Sequence, residues 1–415
     1  MTAKPARKPA LGFIFVTLVL IVLGFGILIP VLPELVRQFN GNDFVEGSHS
    51  YGWLVGIFAL MQFVSAPILG ALSDRFGRRR ILLVALAGTA IDYVIMWWAP
   101  TLRWLFVGRV ISGLTAGALA TIYAYVADVT PPEKRAQSYG LLGAAFGLGF
   151  VIGPLMGGVL GNGHEHLRRP FWVAAAVVGL NWIYGAFFLP ESLPKENRRP
   201  FSWKRANPVG SLIALRRFPA VLGLSGTYFL NWLAQIMLQS VWANYTQYRY
   251  HWTIKEVGYS LAFVGVASSV VQGGLVKPVL GRIGERRGLM LGLSVATLAY
   301  IGYGLAESGW VIYAVICVGV VAGLAGPAIQ SLITRHVPSN EQGSVQGALS
   351  GLSSAAGFIS PPIAAWSFGW AIPALPGLPF FEAATLMLLA VIVALFSFRA
   401  DDRAGHAGEV GRALD

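Results

Sequence analysis

The stretch Leu11-Gly-Phe-Ile-Phe-Val-Thr-Leu-Val-Leu-Ile-Val-Leu-Gly-Phe-Gly-Ile-Leu-Ile-Pro-Val-Leu-Pro-Glu-Leu35 holds a single charged residue, Glu34. A helix of this length crosses a hydrocarbon core about 30 Å thick. It is too long for a secretory h-region and no small-residue cleavage site follows it, so it reads as a retained first span. Eleven further apolar runs follow, at 51–73, 81–99, 104–127, 138–160, 170–189, 219–243, 257–279, 288–306, 309–333, 343–371 and 378–398. The whole composition agrees: 55% of the 415 residues are hydrophobic and only 12% are charged, about half the charged share of a soluble domain. Glycine, at 50 residues, suits helices that must pack closely where no hydrophobic force drives them together. The lone Cys317 excludes an intramolecular disulfide.

Twelve spans predict an all-α membrane protein with both termini on one side. With the N-terminus inside, 24 of the 31 Lys and Arg residues fall on the cytoplasmic side, counting Lys277 at the cytoplasmic end of span eight, six fall outside, and Arg109 lies within a span; that asymmetry sets the orientation. The net charge of +12 is scattered between apolar runs, which opposes a nucleic-acid surface. The longest hydrophilic stretch holds Lys195, Arg198, Arg199, Lys204, Arg205, Arg216 and Arg217. It divides the chain into an N-terminal half over 1–189, a cytoplasmic linker over 190–218, a C-terminal half over 219–398 and a tail over 399–415. A shift of 207 residues lays Arg75-Phe76-Gly77 on Arg282-Ile283-Gly284, Gly140 on Gly347 and Pro154 on Pro361. The two halves therefore read as a duplicated six-span unit.

Between spans two and three stands Gly70-Ala-Leu-Ser-Asp74-Arg75-Phe76-Gly77-Arg78-Arg79-Arg80. The loop is too short for a domain, so its charges lie against helix ends. Asp74, facing these arginines and Asp128 at the end of span four, suits a breakable ion-pair latch; a plain positive-inside loop is the simpler alternative. Span five carries Gly140, Gly149, Gly153-Pro154 and Gly157-Gly158. Glycines four apart give a flat face for close helix contact, and Pro154 removes a backbone hydrogen bond and bends the helix. A dinucleotide-binding reading of Gly147-Leu-Gly149 needs a preceding strand, which an all-helical chain does not supply.

A charge near the bilayer centre costs about 2.5–3.5 kcal/mol on insertion scales and is usually kept for function. Asp92, some 16 Å deep in span three at 1.5 Å per residue, and Arg109 in span four qualify. Antiparallel neighbours bring the two to similar depth, either as a static salt bridge or as a proton-responsive pair. On span seven, Tyr228, Asn231, Gln235, Gln239 and Trp242 fall within a stripe about 80° wide at 100° per residue. Lipid satisfies no amide, so the stripe is expected to face a helix or a water-filled cavity. Gln62, Gln272 and Gln330 on spans two, eight and ten are further candidates for the cavity, with interhelical hydrogen bonding as the alternative for each. His164-Glu165-His166 is weak as a metal site. No Walker loop, hydrolase triad or paired catalytic carboxylates occur, so no enzyme activity, metal or cofactor is expected.

The Gly70–Arg80 segment resembles the signature loop of the major facilitator superfamily. The span-five glycines resemble its antiporter motif, and Arg109 with Gly113 resembles a third motif linked to proton transfer. Together with Pro30-Val-Leu-Pro33, Met61-Gln62 and Gln235-Ile236, the whole length is similar to the tetracycline/proton antiporter group of the drug-efflux branch. Members of that group carry carboxylates in spans one and nine and a histidine in span eight, where this chain has Ile21, Ala296 and Ser268. It keeps the span-three aspartate as Asp92 and the span-eight glutamine as Gln272. The resemblance thus implies coupling mainly through Asp92 and Arg109, and speaks against metal-chelated tetracycline as cargo.

The expectation is a proton-coupled antiporter of the cell inner membrane, monomeric, exporting a small amphipathic compound by alternating access. An uptake facilitator or symporter is the alternative, opposed by the span-five motif. A transporter-like sensor would need an appended cytoplasmic domain, for which the tail is too short.

Overall fold

The computed structural model describes residues 9–201, 219–337 and 341–414. Lipid offers no partner to a backbone N–H or C=O, so a crossing segment closes its hydrogen bonds within itself. Accordingly the described residues form fifteen α-helices and no strand. These are α1 (Pro9–Phe39), α2 (Phe44–Phe76), α3 (Arg78–Trp98), α4 (Leu102–Leu114), α5 (Ala118–Val129), α6 (Arg135–Leu160), α7 (Arg169–Phe188) and α8 (Pro219–Tyr250), followed by α9 (Ile254–Val270), α10 (Val276–Ile283), α11 (Glu285–Leu305), α12 (Gly309–Gly319), α13 (Ala325–Arg335), α14 (Gln342–Ala371) and α15 (Leu378–Leu414).

Among the described residues, eleven spans are long and apolar enough to cross a membrane. The twelfth expected span, 343–371, is α14. It has the length, 30 residues, but Ser350, Ser353, Ser354, Ser360, Pro361 and Pro362 dilute its apolar character. Three spans that the sequence presents as unbroken runs are interrupted. Span four breaks at 115–117 between α4 and α5, span eight contains a π turn at Val271–Leu275, and span ten passes through a 3-10 turn at Val320–Leu324. At the first break the Thr115 hydroxyl donates back to the Ile111 and Ser112 carbonyls, at 2.9 and 3.2 Å, competing with the helix ladder.

The 207-residue repeat reappears in the backbone. Gly77 and Gly284, its equivalents at the α2–α3 and α10–α11 junctions, both have positive φ, 102° and 79°, which a side chain would strain. The break at 115–117 maps onto 322–324, inside the 3-10 turn of span ten. Each half also has a glycine in its third span facing that break. The Thr115 side chain lies against Gly88, and a Cβ on Gly292 would stand 2.7 Å from the Ala325 nitrogen.

Contacts divide the chain into two units. Unit 1 comprises Met1–Asn207 with Trp242–Val266, and unit 2 comprises Pro208–Val241 with Ala267–Asp415. The borders cut through α8 and α9, so the C-terminal end of α8 and the N-terminal end of α9 pack within unit 1 although they belong in sequence to the half expected over 219–398. Ile254 joins the unit 1 core, and Asn244 donates to the Ser48 hydroxyl at 3.1 Å. Of the expected linker, Pro190 to Phe201 is described, with a 3-10 turn at Lys195–Asn197; Lys204, Arg205, Arg216 and Arg217 lie outside the described residues. The helix α15 continues beyond the expected span through the tail to Leu414.

In unit 1, α1 is enclosed by neighbours. Ile14, Leu18, Ile27, Val31, Leu32, Leu35 and Val36 are buried around it, as an all-apolar helix requires. Its closest partner is α6. Gly149, Gly153 and Gly157, four apart, face Val19, Leu23 and Ile27, also four apart; a Cβ on these glycines would lie 2.7, 2.5 and 2.7 Å from the three carbonyl oxygens. Backbone lies on backbone here, which only small residues permit. Gly158 turns to α9, where a Cβ would stand 3.1 Å from the Gly258 Cα, while Gly140 has no atom within 4 Å. The expected motif thus divides between two partners. Buried polar groups are matched across helices: Thr17 and Asn181 join α1 to α7 at 3.1 Å. In unit 2, α11 packs on α13 and α15, and Ser360 of α14 donates to the Leu233 carbonyl of α8 at 3.0 Å.

Overpacking costs typically about 1–3 kcal/mol, so Gly153→Val is expected to lower the melting temperature of the purified protein by several degrees. Gly143→Val on the same helix, where nothing lies within 4 Å, should melt like the parent.

Candidate functional site

The deepest charges of unit 1 meet. Asp92 of α3 is fully buried, Arg109 of α4 is nearly so, and the guanidinium ion-pairs the carboxylate. Local sequence makes the approach possible. A Cβ on Gly108 would stand 2.5 Å from Asp92 Oδ1, so only glycine leaves room for the carboxylate. The guanidinium also reaches Met96 Sδ at 3.8 Å and faces the Phe58 ring at 5.4 Å. The third helix, α2, is held to α4 where the Ser65 hydroxyl donates to the Gly113 carbonyl at 2.9 Å. One step along the repeat, the equivalent positions are Ala299 and Ile316, both buried and apolar. A carboxylate enclosed this way, with one cation as its counter-charge, can release or take a proton when the cation withdraws.

At the α2–α3 junction the loop charges converge. Arg78 pairs with Asp74 at 2.6 Å and with Asp128 at 3.2 Å, and it donates to the Ser73 hydroxyl at 3.2 Å. Arg79 donates to the Ala186 carbonyl near the end of α7, and Arg75 lies over the Phe76 ring at 5.0 Å. Gly77 provides the turn, whereas Gly70 has no atom within 4 Å. Sequence reasoning missed Glu191. Its Oε1 accepts from the Arg78 N–H at 2.7 Å and its Oε2 lies 3.9 Å from Arg198. Tyr125 donates to the Pro190 carbonyl at 2.9 Å, and the Arg199 N–H donates to the Asp74 carbonyl at 3.2 Å. The start of the linker is therefore strapped over the junction.

The span-seven stripe is split. Tyr228 lies beside Trp232 with ring centroids 6.1 Å apart, Asn231 is buried, Gln235 is half-buried and Gln239 is exposed, all within unit 2. Trp242 leaves the stripe. It is buried in unit 1 and its indole N–H donates to the Ser260 hydroxyl at 3.0 Å, because the following helix supplies an acceptor one turn away. Gln330 donates to Gln346 at 2.6 Å, an interhelical bond between α13 and α14. Gln272 is exposed within the π turn and Gln62 is half-buried on α2. The reading of intramembrane charges also passed over Glu382, one turn into α15, whose buried Oε2 has no hydrogen-bond partner among the described residues.

Repeated helical units, glycine-packed spans and a buried ion pair define a polytopic membrane transporter. The chain matches the family described as Major Facilitator Superfamily over residues 14–361, and it belongs to that superfamily. It is 37% identical over 380 residues to the Tetracycline resistance protein, class C, of Escherichia coli, covering 92% of this chain and 95% of that protein. With the Tetracycline resistance protein, class H, of Pasteurella multocida it shares 34% identity, covering 92% and 94%. Among solved structures, the human organic anion transporter TETRAN superposes with a TM-score of 0.72 at 24% identity, covering 94% of this chain and all of that one.

Removing one partner of a buried ion pair typically costs about 3–5 kcal/mol, because the other charge is left without compensation. Arg109→Ala is expected to destabilise by that order. The double variant Arg109→Ala with Asp92→Ala should recover part of the loss in thermal melts, since it strands no charge.

Proposed function

We propose that this protein is a proton-coupled antiporter that exports a small amphipathic drug-like compound across the cell inner membrane, working as a monomer with both termini in the cytoplasm. The observation that carries the reading is the buried Asp92–Arg109 pair in a superfamily member similar to tetracycline resistance proteins. In one state of the cycle the arginine neutralises the carboxylate; in the other it withdraws and a proton takes its place. Asp74, Arg75, Arg78, Arg79 and Asp128, turned by Gly77, act as the cytoplasmic gate, with Glu191 as a further member. The orientation rests on the excess of Lys and Arg in the segments assigned to the cytoplasm. Tyr228, Asn231, Gln235 and Gln239 of unit 2 receive the cargo; Gln272 and Gln330 of the same unit, and separately Gln62 of unit 1, are further candidates for contacting it.

A drug-susceptibility screen in a pump-deficient host, beginning with tetracyclines, supplies the substrate for the tests. In reconstituted vesicles loaded with a pH-sensitive dye, Asp92→Asn is expected to abolish accumulation driven by a pH gradient while leaving downhill substrate exchange. Substrate-dependent proton movement at the parental rate in that variant would place coupling elsewhere. For the cargo face, Gln235→Leu and Asn231→Leu are expected to weaken substrate binding with little change in melting temperature. Earlier melting with unchanged affinity would make those amides interhelical bonds.

A further inference from the structure

The junction cluster of unit 1 has a counterpart in unit 2 with the sign of its central ion pair reversed. Moving 207 residues along the repeat from Arg78 and Asp128 leads to Glu285 and Arg335. These two side chains form an ion pair, and the Ser331 hydroxyl donates to Glu285 at 3.2 Å. The correspondence extends one residue further. Arg79, which ties α3 to the end of α7, maps onto Arg286, which ties α11 to Asp401 and Asp402 of α15 at 2.5 and 2.6 Å. In each half, therefore, the first residue after the positive-φ glycine pairs with the end of the half's fourth span. The second, an arginine in both, anchors to the sixth.

We infer that Glu285 and Arg335 are positioning residues of a second latch, inverted in polarity, that works in the same transport step as Arg78 and Asp128; the inference rests on the gate reading given above. Three observations carry it. An acidic residue at position 285 goes against the cationic bias of a cytoplasmic junction, so topology alone does not explain it. Its partner sits at the repeat equivalent of Asp128, so attraction between junction and span end is kept while its sign is exchanged. Arg335 is 64% exposed and Glu285 22%, so their attraction adds modestly to stability, beside what each residue gains from the dipole of its own helix. A pair in that setting breaks and reforms at small cost, as a contact remade in every cycle must.

The test uses the full chain in vesicles, with the substrate from the screen. The variants are Arg335→Asp, Glu285→Arg and the two combined, with the milder Glu285→Gln and Arg335→Gln in case a reversal does not fold. Each single change is expected to lower kcat by about tenfold with KM within about twofold. The double exchange should return kcat to within about threefold of the parent, the coupling expected of a direct pair. Melting temperatures should stay within a few degrees. Parental transport by the single variants, failure of the exchange to restore it, or losses that follow the melting temperature would each overturn the second latch. Arg78→Gln and Asp128→Asn run in parallel: if they also transport normally the gate reading itself falls, and if they alone are impaired only the second latch does.

Discussion

Nothing outside the protein solvates Asp92. In hydrocarbon the carboxylate and the guanidinium of Arg109 each carry a desolvation cost that neither can bear alone, and their attraction offsets it only at close range with good geometry. That requirement reaches into the helices around them. Residue 108 must be glycine-sized so that α4 approaches the carboxylate, and α2 must present Phe58 to the face of the guanidinium. Ser65 and Gly113 then hold α2 and α4 in register. A three-helix arrangement is thus organised around one pair.

Away from that pair, close approach of backbones replaces the hydrophobic effect, because lipid is as apolar as leucine. The α1–α6 interface consists of glycines facing carbonyls at matching intervals of four, and the same use of glycine recurs where Gly88 and Gly292 receive the breaks in spans four and ten. These contacts gain by dispersion over many atoms, each worth little, so they tolerate no added methyl. The broken spans follow from the same logic. Backbone groups freed at 115–117 and 320–324 are acceptable where neighbouring helices enclose them.

Much of this was readable in the sequence, and what was not has a physical cause. Spans, repeat and the Asp92–Arg109 partnership follow from hydropathy, a fixed offset and depth, since lipid penalises every exception. Arg78 with Asp74 was legible because the two lie four residues apart in a junction too short to separate them. Glu191 was not, because it reaches the junction through a linker whose path no periodicity encodes. Trp242 shared a helical stripe with four polar residues yet belongs to a different unit, since a stripe records angle around an axis and not what each turn meets. The breaks in spans four, eight and ten were invisible for a related reason: hydropathy counts apolar residues and does not register which hydrogen bonds they close.

Duplication gives two copies of one scaffold, and comparison of the copies separates what the scaffold needs from what the cycle needs. Positive-φ glycines at 77 and 284, proline inside α6 and α14, and a cation after each junction recur in kind, which marks them as conditions for building a six-span unit. The buried ion pair does not recur: unit 2 has Ala299 and Ile316 there. A second buried pair would carry a second desolvation cost, and unit 2 avoids it at these positions. The junction pair lies between these cases, because attraction is conserved while polarity is not. The attraction within the pair depends on the product of the charges, but the helix dipoles distinguish the two polarities: Glu285 in the first turn of α11 and Arg335 in the last turn of α13 suit them, whereas Arg78 at the start of α3 and Asp128 near the end of α5 do not. What the two halves share at that point is an interaction, and what distinguishes them is which helix end carries which charge.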